Sequence, residues 1–249
     1  MTVSIDVSEE AGVRYLHFGS RWIQGAMRVR RPHALELDYT RDMMFPLLLR
    51  DGGWPRTVLT IGLGAASLTR FLHRHRPRAA QTVVEIEPAV IHAARHHFAL
   101  PAEGPRLRIE IADGVDYVAA SSREFDLILV DGYDAHGRTG ALDALPFYCN
   151  CLARLSDRGV LAANLLTRNH GIRGSLDRVR AAFAGRALAL PKCESGNVVI
   201  VAAGGDPVER PGAELTERAR RLRSETALNL VPTVRRLLET IPADGVLRV

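Results

Sequence analysis

The sequence predicts an α/β fold built on a doubly wound sheet, mostly parallel with one antiparallel strand, and a small N-terminal β region. From residue 57 onward, short apolar segments rich in β-branched residues alternate with helical segments, as in a parallel sheet covered on both faces. The last two strand segments, 186–191 and 197–202, have too short a connection for a crossover, so they must pair antiparallel. Alternating apolar residues before position 30 are typical of a β-hairpin.

The N-terminal part of the chain is expected to contain a hairpin and one helix. Residues 13–18 alternate like a strand, and residues 22–29 are the predicted hairpin partner. Residues 38–50 predict a helix with Asp38 as its N-cap and a kink at Pro46.

Beyond residue 50 the predicted elements alternate between strand and helix. Parallel strands are expected at residues 57–61, 82–86, 107–111, 125–130 and 159–165. Helices are expected at residues 67–75, 88–98, 115–120, 143–155 and 176–183, before a charged helical tail at 211–242. We therefore expect one doubly wound domain over residues 51–249, preceded by the hairpin region and its linking helix over residues 1–50.

Composition narrows the class of protein and its partners. Apolar residues make up 47% of the 249 residues, which is enough for a sizeable core, and no apolar run is long enough to predict a membrane span. The acidic N-terminus lacks the pattern of a signal peptide, so a cytoplasmic protein is expected. The net charge is +5, but arginines are spread along the chain among 28 acidic residues, so no nucleic-acid partner is expected.

The cysteines predict no metal site. Cys149 and Cys151 are spaced as a C-x-C pair, but the chain has no second pair of zinc-binding spacing. We expect these two and Cys193 to be free, buried thiols.

Ligands of such a sheet bind beyond the carboxyl ends of its strands, and the first two of these loops fit a nucleotide. Gly62 and Gly64 follow the first strand, where they allow a tight turn and close approach of a ligand to the next helix. Glu85 and Glu87 follow the second strand on one sheet face, so either can accept hydrogen bonds from a ribose diol. A nicotinamide dinucleotide fits this spacing, but the third glycine of its pattern is absent near Ser67.

The third and fourth strands are also followed by acidic residues. Asp113 with Gly114 can recognise the adenine edge, or Asp113 can simply cap the next helix, and spacing favours neither. Asp131 and Asp134 place two carboxylates at a strand's end, which is costly unless a cation or a proton uses them. They can bind a substrate amine and accept its proton. The alternative is a pair of turn-forming aspartates.

Aromatic residues are available to close the pocket around these carboxylates. Tyr133 lies between the two aspartates, and Phe147 and Tyr148 lie on the next predicted helix. We expect Tyr133 and Tyr148 to contact the substrate.

Taken in order, these segments resemble the spermidine synthase, or polyamine aminopropyltransferase, family from about residue 12 to about residue 204. The resemblance is carried by segments 22–27, 37–40, 58–64, 67–72, 84–91, 112–114, 125–134 and 147–148. It implies a class-I S-adenosylmethionine-dependent methyltransferase-like (Rossmann-like) catalytic domain. The implied reaction transfers an aminopropyl group from decarboxylated S-adenosylmethionine to an amine such as putrescine. No metal is implied, because the sulfonium already makes a good leaving group.

The resemblance also implies roles for individual residues. On the donor side, it implies that Glu85 binds the ribose and that Asp113 with Gly114 binds the adenine. It also implies that Gln24 lies near the donor. On the acceptor side it assigns the general base to Asp131, the diamine to Asp134 and the pocket wall to Tyr39.

One departure from the family keeps two alternatives open. The family's glycine loop contains an aspartate that pairs with the donor's aminopropyl ammonium, whereas here the loop continues as Ala65, Ala66 and Ser67. A loop without an acid repels the carboxylate of intact S-adenosylmethionine less, so an S-adenosylmethionine-dependent methyltransferase is the second hypothesis. A non-catalytic adenosyl-nucleotide-binding module is the third, and the pair Asp131 and Asp134 argues against it. The expected partner is a small-molecule amine, with a homodimer formed through the hairpin edge as a further expectation.

Overall fold

An antiparallel sheet of three strands begins the chain. The structure is a computed structural model and describes residues 4–19, 22–51, 53–133, 139–166, 171–241 and 244–249. The strands are β1 (Ile5–Glu10), β2 (Val13–Phe18) and β3 (Ile23–Arg28). β2 and β3 are the predicted hairpin, and β1, which the sequence did not predict, pairs antiparallel with β2. Most of β1 is exposed, so it lacks the apolar alternation that identifies a strand.

The single helix predicted over residues 38–50 is wrong. The structure has a short helix, α1 (Asp38–Asp42), and then a separate 3-10 turn, Phe45–Leu48. Pro46 has no amide hydrogen to donate, so it ends the α-helical pattern instead of kinking it. Asp38 is also not the N-cap: Leu37 holds that position, and the Asp38 carboxylate instead accepts hydrogen bonds from Ser195.

A seven-stranded sheet forms the centre of the molecule. Its spatial order is β6 (Leu107–Ile111), β5 (Ala80–Glu85), β4 (Thr57–Ile61), β7 (Phe125–Val130), β8 (Leu155–Leu166), β10 (Asn197–Ala203) and β9 (Ala187–Ala189). The neighbours from β6 to β8 pair in parallel, and β10 runs antiparallel to both β8 and β9. The predicted sheet with one reversed strand is therefore confirmed.

Helices follow the strands nearly as predicted. They are α2 (Ser67–His75), α3 (Pro88–His97), α4 (Gly114–Ala120), α5 (Leu145–Ala153), α6 (Arg173–Ala182), α7 (Gly212–Thr226) and α8 (Val231–Leu238). The tail is helical as expected, and a small antiparallel pair, β11 (Glu209–Pro211) with β12 (Val246–Arg248), flanks it. One prediction about α5 is wrong: Cys149 is exposed, because only the helix face that carries Cys151 packs on the core. Cys151 and Cys193 are buried and free, as expected.

Apolar side chains cover both faces of the central sheet. Successive residues of β7 enter different clusters: Leu127 and Leu129 pack towards α2 and α7, and Ile128 and Val130 pack towards α5 and α6. This double burial explains why the strands are apolar throughout instead of alternating.

The topology sets which residues reach which edge of the sheet. The parallel strands β4, β5, β6, β7 and β8 all end at one edge, here named the carboxyl rim. Because β10 is reversed, its first residue, Asn197, lies at that rim opposite Leu166. The other edge, where the parallel strands begin, is named the amino rim. Within the described residues, no helix has the length and apolarity needed to cross a bilayer.

Candidate active site

The glycine loop brings the ends of β4 and β7 into direct contact. Gly62 has a φ of +89°, and a Cβ placed on it would lie 2.3 Å from the carbonyl oxygen of Asp131. The Asp131 amide in turn donates to the Ile61 carbonyl oxygen over 2.8 Å. Only glycine combines this backbone conformation with so close an approach, so the first and fourth predicted loops lie side by side.

Glu85 ties the second loop to the first. Its Oε2 accepts from the Leu63 amide and its Oε1 from the Glu87 amide, both over 2.9 Å. Burial raises the pKa of this carboxyl, and the backbone amides that donate to it oppose the rise. Glu87, the other predicted candidate, caps α3 through the Ala89 amide. Each oxygen of Glu85 can still accept one further hydrogen bond, so the carboxylate fits a ribose diol.

Asp113 caps the next helix. Its Oδ1 accepts from the amides of Val115 at 2.7 Å and Asp116 at 3.4 Å, so the capping interpretation is confirmed. The adenine role stays a prediction. Gly114 packs tightly, because a Cβ there would lie 2.4 Å from the Cγ2 atom of Ile61.

Asp131 lies at the base of a narrow cleft at the carboxyl rim. Tyr39 Oη donates to its Oδ2 over 3.3 Å, and Asn164 Nδ2 donates to its Oδ1 over 2.8 Å. Burial raises the pKa of Asp131 to about 6, although both hydrogen bonds favour its ionised form. A carboxylate with this pKa is suited to accept a proton near neutral pH.

Four predicted site residues share this cleft with Asp131. They are Gln24, Tyr39, Gly62 and Gly64. Gln24 reaches the cleft because β3 packs on the glycine loop, where a Cβ on Gly25 would lie 2.5 Å from the Cβ atom of Ala65. Thr60 also lines it, with a buried hydroxyl that has no partner among the described residues.

A chain of polar side chains behind Asp131 was not predicted. Asn164 Oδ1 accepts from Asn197 Nδ2 over 2.8 Å, and Asn197 Oδ1 lies 2.9 Å from Ser195 Oγ. Ser195 Oγ lies 2.6 Å from Asp38 Oδ1, next to Tyr39 in the sequence. Each amide group therefore fixes the orientation of the next, and the chain holds Asp131 in one rotamer.

Two of the predicted substrate contacts have other partners in the structure. Tyr133 is partly buried, and its hydroxyl donates to the Asn164 carbonyl oxygen over 2.6 Å, beside the chain just described. Tyr148 is fully buried in the core, and its hydroxyl donates to Asp143 Oδ1 over 2.9 Å. The structure thus does not bring Tyr148 to the cleft. Asp134 lies outside the described residues.

A buried cation lies behind the glycine loop. Arg70 is completely buried, and its guanidinium donates to the carbonyl oxygens of Pro32 at 2.7 Å, Phe98 at 2.6 Å and Ala65. Burial lowers the pKa of Arg70 to about 9, so it remains charged at neutral pH. A positive charge therefore lies behind the glycine loop, at which the spermidine synthase family that this sequence resembles carries an acid.

Known proteins confirm the family that the sequence resembles. Residues 37–184 match the spermine/spermidine synthase domain. The chain belongs to the spermine/spermidine synthase family. It is 35% identical over 241 residues to the polyamine aminopropyltransferase of Neisseria meningitidis serogroup A, covering 97% of this chain and 91% of that protein. It is 37% identical over 236 residues to that of Chromobacterium violaceum, covering 95% and 90%.

The fold of this spermine/spermidine synthase family member is shared with methyltransferases. Human methyltransferase-like protein 13, solved in complex with SAH, matches with a TM-score of 0.67 at 24% identity. The match covers 77% of this chain and 93% of that chain. The predicted methyltransferase-like, doubly wound fold is therefore confirmed.

Proposed function

We propose that this family member is a polyamine aminopropyltransferase, transferring an aminopropyl group from decarboxylated S-adenosylmethionine to an amine such as putrescine. One observation carries the proposal beyond family membership. Asp131, whose pKa is about 6, lies in the same cleft as the glycine loop, held by Tyr39 and Asn164. Asp131 as the base, the glycine loop that fits a nucleotide and Tyr39 as the pocket wall thus lie together at the carboxyl rim.

The reaction needs a proton acceptor next to the amine. An ammonium nitrogen has no free electron pair, so Asp131 first accepts one of its protons. The freed nitrogen forms a bond to the carbon beside the donor's sulfonium, and the carbon–sulfur bond breaks. Its electron pair returns to sulfur, which leaves as a neutral thioether. The remaining work of the protein is to hold both partners in line.

The donor site consists of the first three loops. The backbone of Gly62 and Gly64 permits close approach of the donor, and Glu85 accepts hydrogen bonds from the ribose. Asp113 uses only Oδ1 to cap α4, so its Oδ2 is available to the adenine amine within the described structure. Gln24 lies over the loop on the side of Asp131.

The acceptor site consists of residues around Asp131. Tyr39 lines this site, and Tyr133 supports it by a hydrogen bond to the Asn164 carbonyl oxygen. Asp134 binds the far ammonium group of the diamine, as the family resemblance implies. The proposal also includes a cytoplasmic location and a homodimer formed through the N-terminal sheet. It places the boundary between the N-terminal region and the catalytic domain between residues 50 and 51.

Methyl transfer from S-adenosylmethionine is the second candidate, and one observation favours it. The loop carries Ala65 in place of an acid, and the charged Arg70 guanidinium contacts the Ala65 carbonyl oxygen. A positive charge there attracts the carboxylate of the intact donor and disfavours an ammonium. The likeness of fold to human methyltransferase-like protein 13 is consistent with this candidate.

Thermal unfolding with each donor separates the two candidates. We expect decarboxylated S-adenosylmethionine to raise the melting temperature more than S-adenosylmethionine does, because the ligand bound more tightly stabilises the folded state more. At a donor concentration of 100 times Kd, the stabilisation is about 2.7 kcal/mol. The reverse ranking supports methyl transfer, and no shift with either donor contradicts both.

A matched pair of variants verifies that any shift arises at the proposed site. Glu85→Gln is expected to reduce the shift with both donors, because it removes the charge that accepts the ribose hydroxyls. Glu87→Gln, two residues along, changes only the cap of α3 and is the control. Equal shifts for the two variants would show that Glu85 does not bind the ribose.

A further inference from the structure

A second cavity lies at the amino rim, away from the cleft that contains Asp131. Its volume is about 350 Å³. Trp54 and Pro55, just before β4, form one wall, the end of α2 forms another, and one face of α7 forms a third. None of these residues takes part in the proposed reaction.

Positive charge predominates in this cavity. The guanidinium groups that line it belong to Arg50, Arg76, Arg78, Arg218 and Arg221. Only two carboxylates, Asp51 and Glu225, line it with them. Asp51 is already engaged by both terminal nitrogens of Arg218, at 2.7 and 2.6 Å. Glu214 also pairs with Arg218 at 2.7 Å, and Asp51 lies 4.0 Å from Arg221, so the five arginines still outnumber the carboxylates around them.

Hydrogen-bond donors are in surplus as well. The Nε and Nη2 atoms of Arg50 are buried without a partner in the described part of the chain, and so is the indole Nε1 of Trp54. Burial lowers the pKa of Arg50, and the nearby cations Arg158 and Arg210 lower it further, while Asp206 opposes the shift. A partly buried guanidinium with two unpaired nitrogens among other cations is costly, and the charge of a nearby anion lowers that cost.

We propose that this cavity binds a small, multiply charged anion of the phosphate class. Guanidinium groups pair well with tetrahedral phosphate oxygens, which accept several hydrogen bonds at once. Arg50 and Trp54 lie on one side of the cavity, and Arg76, Arg78 and Arg221 contribute positive charge from the others. The volume admits an ion the size of pyrophosphate. The site is independent of the proposed transfer reaction.

Calorimetric titration at fixed ionic strength tests the proposal, with pyrophosphate, inorganic phosphate, glycerol 3-phosphate and citrate as probes. We expect pyrophosphate to bind the wild-type chain, and Arg50→Gln and Arg221→Gln each to weaken it about tenfold or more. Arg220→Gln is the control, because Arg220 lies on the same helix but outside the cavity, exposed beside Glu217. Binding of glycerol 3-phosphate as tight as that of pyrophosphate supports an organic phosphate ester as the ligand. Weaker binding supports an inorganic one.

Three results would overturn the proposal. They are no pyrophosphate binding by the wild-type chain, equal weakening by Arg50→Gln and Arg220→Gln, and tighter binding of citrate than of pyrophosphate. The melting temperature of Arg50→Gln without anion shows whether that variant folds. We expect it to equal or exceed the wild-type value, because the substitution removes an unpaired buried charge. Arg221→Gln, at a more exposed position, gives a second binding result independent of the core.

Discussion

The two rims of the central sheet carry opposite chemistry. At the carboxyl rim the carboxylates are hydrogen-bonded: Asp131 lines a narrow cleft, and Glu85 accepts from the glycine loop beside it. At the amino rim a larger cavity is lined by arginines, and two nitrogens of Arg50 have no hydrogen-bond partner in the described structure. The helices α2, α3 and α4 begin at the carboxyl rim, where their partial positive charge favours acids, and α2 ends at the amino rim with basic residues. The smaller cleft is therefore the better candidate for the reaction, because its carboxylate is held by hydrogen bonds, although the arginine-lined cavity is larger.

Replacing Asp131 should have the largest effect on turnover. Asp131→Asn keeps the shape of the side chain but cannot accept the amine proton, so we expect kcat to fall about a thousandfold or more. Donor affinity should stay near the wild-type value, because Gly62 and Glu85 are unchanged. Product formation followed by mass spectrometry, with donor Kd by calorimetry, measures the two separately.

Asp177→Asn is the matched control, since Asp177 is an exposed aspartate of α6 that lines neither the cleft nor the amino-rim cavity. Wild-type turnover is expected for it. An Asp131→Asn enzyme that turned over as fast as this control would refute the general-base role and remove the contrast between the rims.

The pH dependence of kcat/KM should show the effect of the Asn164 side-chain amide on the pKa of Asp131. With a pKa of about 6, Asp131 is ionised above that pH, so kcat/KM should fall as the pH drops through 6. Asn164 lowers this pKa by its hydrogen bond. Asn164→Ala should therefore move the acid limb to higher pH and reduce kcat roughly tenfold.

A profile of unchanged shape in Asn164→Ala, with lower activity at every pH, would show that Asn164 supports only the fold. Asn150→Ala on α5 is the control, and neither its rate nor its acid limb should change.

Two glycines, one at each rim, should differ in stability when replaced by alanine. Both have positive φ, but a Cβ on Gly62 would lie 2.3 Å from Asp131 O, whereas a Cβ on Gly53 would meet nothing within 4 Å. We expect Gly62→Ala to lose about 3 kcal/mol or more of unfolding free energy, and Gly53→Ala about 1 kcal/mol from backbone strain alone. Urea unfolding measures both, and equal losses would mean that contact with Asp131 does not determine the requirement for glycine.

Much of the fold followed from apolar periodicity, and the failures have physical causes. Strands buried on both faces, such as β4 and β7, matched their predicted bounds because nearly continuous apolar runs identify them. β1 was missed because it is exposed and gains its order by pairing with β2. The helix over residues 38–50 was wrong because buried apolar residues after Asp42 pack equally well in a 3-10 turn.

The candidate residues lie where strands end at the carboxyl rim, as a doubly wound sheet predicts. The structure brings the loops of Gly62, Glu85 and Asp131 together, and their roles stay predictions. Asn197 was missed because it begins a strand, yet the reversed direction of β10 was predicted and places its amino end at the same rim. The structure places the Tyr148 hydroxyl against Asp143 and not at the cleft, a contact that helix periodicity does not show.

The reversed direction of β10 makes the support of Asp131 depend on the length of the connection between β9 and β10, which reaches the carboxyl rim through Ser195. Asn197 reaches Asn164 only in the observed register, and a slip of one residue would present Val198, an apolar side chain, in its place. Inserting or deleting one residue between β9 and β10 would leave the sheet able to pair while uncoupling Asn164 from its support. The hairpin at the sheet's edge thus acts as a spacer for the side chains that hold Asp131, and its length is constrained by their hydrogen bonds as well as by topology.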